Sequence, residues 1–143
     1  MSDQNKYMLA IIRHEKAKQA VDSLTRDIGF AISRCPVTVK SNDPLISNSE
    51  RDQLFDEGTG KTKTHLWHAF KHREPSSCGW GEVGLCEDGI SDALSEGSEF
   101  ECEHCYHAYR MIVARKDVRN ELGRARLAIR SLGRAALKGE SSK

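Results

Sequence analysis

The sequence predicts a mainly α-helical protein in which two long helices flank an irregular centre that holds metal. Three observations carry that expectation. Apolar residues recur at heptad spacing near each end of the chain, and the middle is broken by glycine and short polar runs. A Cys-x-x-C pair, Cys102-Glu103-His104-Cys105, stands where the second helical pattern begins.

The first long helix is expected over residues 7–35. Ala10, Ala17, Val21, Leu24, Ile28, Ala31 and Cys35 step by three and four, with His14 filling the one gap on the stripe. Pro36 stops the pattern, and Pro36-Val37-Thr38-Val39 is expected to be a short extended segment. The second long helix is expected over residues 102–138. There Val118, Leu122, Ala125, Ile129, Leu132 and Ala136 form the seam, and Met111 continues it backwards. Gly123 and Gly133 sit inside this helix, where glycine costs about 1 kcal/mol relative to alanine. Close approach of a neighbouring helix would be a reason to tolerate them. Lys138 to Lys143 are expected to fray. Two helices of similar length fit an antiparallel, coiled-coil-like hairpin, which would bring Cys35 near Cys102 and Cys105. A hairpin leaves half of each seam exposed, so a homodimer is expected.

Residues 36–101 form the irregular insertion, and the 143 residues are expected to make a single domain. Ser47-Asn48-Ser49-Glu50 is a capping box that opens a brief helix, ended by Gly58. His65 to Arg73 is a second short helix, closed by Pro75. Residues 76–101 hold five of the eleven glycines and have little reason to fold without help.

The Cys-x-x-C pair at a helix start is the sharpest chemical signal. Two thiolates so spaced converge on one tetrahedral metal as half of a structural zinc site, and a helix N-terminus favours the thiolate form. Cys86 and Cys78 lie upstream as the expected second pair, with Cys35, His72 and His107 as reserves and His104 also within reach. Ion binding would supply the folding free energy that residues 76–101 lack. Small buried cysteines are the plainer reading. A redox Cys-x-x-C would need a βαβ context, and no strand precedes this one. The Pro-Cys-x-x-Cys of zinc deaminases is absent, since Glu101 stands before Cys102, so catalysis is not expected.

Two weaker patterns read as structural. Gly58-Thr59-Gly60-Lys61-Thr62 ends like a phosphate-binding loop, but Phe55 stands where the first glycine belongs and no buried strand leads in. His65, His68 and His72 share one face of a short helix, where two could bind metal, but the glutamate of a zinc protease is missing and packing by Leu66, Trp67, Ala69 and Phe70 is the preferred reading.

Charge is divided along the chain. Residues 82–103 carry eight acids and no lysine or arginine, whereas residues 106–143 carry ten bases against three acids. Arg119, Arg124, Arg126, Arg130 and Arg134 are the candidate contacts for nucleic acid or a nucleic-acid-associated protein. No run approaches the roughly 20 apolar residues of a membrane span, and Met8–Ile12 is too short for a signal peptide. A cytoplasmic protein, with its five cysteines free or metal-bound, is the expectation.

The Pro-stopped first helix, the Trp- and His-bearing middle and the Cys-x-x-C entry into an Arg-rich Gly-Arg-Ala helix resemble small accessory proteins of tailed bacteriophages. The resemblance lies in general layout. It implies a role in DNA metabolism or against a host protein, including inhibition of a defence or replication factor.

Overall fold

A computed structural model describes residues 3–141. Helix α1 runs Asp3–Ser33, followed by short helices α2 (Pro36–Ser41), α3 (Asn48–Gln53) and α4 (His65–Lys71). Strands β1 (Arg73–Pro75) and β2 (Glu82–Gly84) pair antiparallel, and helices α5 (Glu87–Leu94) and α6 (Glu103–Ser141) complete the order. The protein is mainly helical, with one long helix near each end. Among the described residues, no helix is long and apolar enough to cross a membrane.

The chain divides into two compact units, Met1–Arg26 with Ile112–Lys143, and Asp27–Met111. In the first, the two heptad stripes are the least exposed positions. Ala10, Ala17, Leu122 and Ala125 are buried, and His14, Val21, Leu24, Val118, Ile129 and Leu132 are half-buried. Ala136, the last expected seam position, is exposed. Two polar contacts pair residues distant in sequence. Arg13 donates to the Glu121 carboxylate, and the Arg115 guanidinium donates to Thr25 Oγ1 at 3.2 Å. The Arg13 hydrogen bond and charge hold the Glu121 carboxyl below its ordinary value.

The glycines of α6 have a different surrounding from the one expected. A Cβ built on Gly123 or Gly133 meets nothing within 4 Å, so no close helix approach requires either. The end of α6 also differs, since the helix continues through Ser141; residues 142 and 143 lie outside the described residues.

The second unit holds the short elements. Pro36 does not start an extended segment. It occupies the first turn of α2, where its missing N–H costs nothing, while the residue before it, Cys35, takes the extended conformation that a following proline imposes (ψ 134°). Ser47 Oγ accepts from Glu50 N–H at 3.2 Å and caps α3, which ends at Gln53, well before Gly58. Thr64 caps α4 by accepting from Trp67 N–H at 3.1 Å. Residues 76–101, which lack periodicity, nevertheless contain β2 and α5. Helix α5 packs on α4 and buries Ile90 and Leu94, beside the buried Leu66, Ala69, Ala108 and Tyr109. The two strands are exposed throughout and add nothing to this core.

Candidate metal centre

Cys35, His65, Cys102 and Cys105 come together in the second unit, with one donor atom from each lying within 4.8 Å of the others. Each residue reaches the cluster from the start of a helix. Cys35 is the cap of α2, His65 is the first residue of α4 behind the Thr64 cap, Cys102 immediately precedes α6, and Cys105 is in its first turn. The i, i+3 spacing on that turn places the Cys102 and Cys105 sulfurs side by side. Cys105 N–H donates to Cys102 Sγ at 3.4 Å. Cys35 Sγ lies 3.3 Å from His65 Nδ1. Around a tetrahedral ion with metal–sulfur bonds near 2.3 Å, donors are separated by about 3.5–3.8 Å. The cluster therefore needs little adjustment, and the four residues can hold a metal ion.

The surroundings favour negative sulfur. The hydrogen bond with the Cys105 thiol draws Cys35 well below the ordinary thiol value, and hydrogen bonds from the backbone of His65 and Val37 and from the His65 ring add to the effect against the cost of burial. That same hydrogen bond pushes Cys105 up, helped by burial. Helix N-termini add their positive ends to the same region. Cys35 and Cys105 are fully buried and Cys102 is 6% exposed, so a bound ion would be enclosed by protein.

The remaining candidate ligands lie elsewhere. Cys78 is exposed and hydrogen-bonded to Ser76 Oγ at 3.2 Å. Cys86 is also exposed and caps α5, accepting from Gly89 N–H at 3.4 Å. Neither belongs to the four-donor group. His72 pairs with Glu74 at 3.4 Å and packs edge-on to Phe100, and His107 is exposed. Cys35, the reserve, takes a full place, and His65 enters from the His65, His68, His72 pattern, for which metal binding is the weaker of two readings. It stands 30 residues from Cys35 and 37 from Cys102, so no spacing ties it to either. His68 and His72 follow the structural reading, since both pack on Phe100.

The loop with the phosphate-binding pattern is closed by the protein's own carboxylate. Asp56 accepts from Gly58 N–H, Thr59 Oγ1 and Trp67 Nε1 at 3.0–3.2 Å, which engages donors that a phosphate would need. Those hydrogen bonds also hold the Asp56 carboxyl below its ordinary value.

All five candidate arginines of α6 are exposed. At 100° per residue, Arg119, Arg126, Arg130 and Arg134 fall on one side of the helix, along about 22 Å. Arg124 lies off this row and approaches Glu121 at 4.0 Å. The two units differ sharply in charge. The unit containing these arginines has fourteen bases against six acids, and the metal-site unit has eight against fifteen.

No protein-family model matches the chain, and no curated protein and no solved structure matches it.

Proposed function

We propose that the protein is a zinc-stabilised helical binding module whose Arg-rich helix contacts nucleic-acid phosphates. The observation that carries the reading is the donor set Cys35, His65, Cys102 and Cys105. Three sulfurs and an imidazole suit zinc better than the hard cations, which prefer oxygen. Four protein donors leave no open position for substrate or an activated water, which supports a structural rather than a catalytic ion. Residue pairs 13–121 and 25–115 run in opposite directions along the chain, which supports an antiparallel hairpin of α1 and α6 in the first unit.

The binding surface is the row Arg119, Arg126, Arg130 and Arg134. Planar guanidinium groups match phosphate oxygens, and a basic unit attracts a polyanion at long range. A gel-shift titration of duplex DNA across salt concentrations tests this. Wild type should bind with a steep salt dependence. Arg126→Ala, Arg130→Ala and Arg134→Ala together should flatten the log–log slope by roughly 0.9 for each phosphate that is no longer neutralised. Arg124→Ala, outside the row, should leave the slope nearly unchanged. Absence of wild-type binding to DNA or RNA would overturn the nucleic-acid reading.

The exposure of one side chain favours a second reading, a protein-directed adaptor or inhibitor of the kind implied by the phage-like layout. Trp80 is 86% exposed at the tip of the β1–β2 hairpin. Ser76 Oγ accepts its N–H at 3.1 Å and donates to its carbonyl at 2.7 Å, while Gly79 and Gly81 take positive φ on either side. An indole held out on a braced turn, in an acidic unit, suits a protein pocket better than a phosphate backbone.

A further inference from the structure

A groove of about 620 Å³ opens in the second unit between the β1–β2 hairpin, α5 and the loop that follows α5. Its lining divides by depth. Leu85, Ala93 and Phe100 are half-buried and make an apolar floor, while Glu74, Asp92 and Glu99 are exposed around it. Among the described residues, no lysine or arginine lines the groove. The one lining side chain that can carry positive charge is His72, 3.4 Å from Glu74. Among the described residues, no hydrogen bond or ion pair engages the carboxylates of Asp92 and Glu99. We infer that this groove is the docking site for a basic, extended segment of a partner protein, with apolar side chains on the floor and lysine or arginine at the rim.

Charge complementarity selects that occupant. Three carboxylates around one recess, in a unit of eight bases against fifteen acids, focus a negative potential that draws in cations and repels a phosphate backbone. A divalent ion is the poorer fit, because among the described residues only the Cys35 cluster gathers three or more such donors within reach of one another. The groove is also far larger than an ion, and its apolar floor gains nothing from a ligand that is charge alone. An extended peptide meets both demands. Its alternate side chains point to opposite sides, and the long apolar stems of lysine and arginine let their charges fold back to the rim. The inference rests on the protein-directed reading, and it gives the hairpin that carries Trp80 a second contact of stated chemistry.

The test is fluorescence anisotropy on the full-length, zinc-loaded protein at about 0.15 M salt, where loose charge attraction is screened. The probe is a labelled peptide of about eight residues alternating arginine and leucine, roughly 27 Å long when extended. Wild type should bind it saturably. Glu74→Gln, Asp92→Asn and Glu99→Gln together should weaken binding roughly tenfold, with helix content and bound zinc unchanged because all three side chains are exposed. Glu50→Gln, Glu57→Gln and Glu96→Gln remove as much exposed charge outside the groove and should leave the affinity within about twofold. Glycine in place of the peptide's leucines should also cost roughly tenfold, because the floor is then left bare. Trp80→Ala should change the affinity by less than about twofold. Equal weakening by the two triple changes would overturn the inference, as would spermine displacing the probe as well as unlabelled peptide does. Binding lost on Trp80→Ala but not on the groove changes would sink the groove and keep the protein-directed reading. A wild type that shifts duplex DNA but binds no peptide would take both down.

Discussion

At the scale of single residues, the site turns on which cysteines are enclosed. Cys35 and Cys105 are fully buried, Cys102 nearly so, while Cys78 and Cys86 face solvent. A metal ligand removed from a closed site leaves the remaining thiolates uncompensated and takes away the ion's contribution to folding. Cys35→Ser and His65→Ala should therefore abolish stoichiometric zinc and lower the melting temperature markedly. Cys78→Ser and Cys86→Ser should retain about one zinc per chain by elemental analysis. A zinc-free Cys86→Ser would move the site to the upstream pair. Spacing alone could identify Cys102 and Cys105 because both sit on one helical turn. It could not choose their partners, because Cys35 and His65 arrive from elements that only folding brings near.

At the scale of elements, heptad periodicity carried most of the information. The stripes on α1 and α6 fall on buried and half-buried positions as far as Leu132, while Ala136 is exposed. Periodicity has no purchase on short elements. Helix α5 has eight residues and is defined by a cap and two buried side chains, Ile90 and Leu94, too few to stand out in the sequence. The strands pair through backbone and bury nothing, so their residues carry no alternation to detect. The glycines of α6 give a direct stability test. Since a methyl group at Gly123 or Gly133 meets only open space, alanine at either position should stabilise the protein by about 0.5–1 kcal/mol, read from chemical denaturation. A fall in stability at either would mean that something packs there, such as a partner helix.

At the scale of the whole molecule, the two units rest on different forces. The first is a pair of long amphipathic stretches with a continuous apolar seam. The second gathers short helices and an exposed hairpin around a small core, with four potential metal donors at its helix starts. On the proposed zinc-module reading, a strong chelator should therefore act unevenly. Hydrogen exchange should accelerate through residues 42–101 and at the start of α6, and much less over residues 10–24 and 118–132. Uniform loss of protection would mean that the chain unfolds as one cooperative body, and no loss would mean that the core of the second unit stands without metal.

Helical class, the two seams and the standing of Cys102 and Cys105 as candidate metal donors were written in the sequence, because each depends on residues within a few turns of one another. The identity of the other two donors depended on tertiary structure. So did the carboxylate that closes the Asp56 loop, the exposed presentation of Trp80 and the acid-rimmed groove beside α5. In each case the deciding quantity is a distance or an exposure between groups remote in sequence. Local spacing leaves such quantities free until the chain folds.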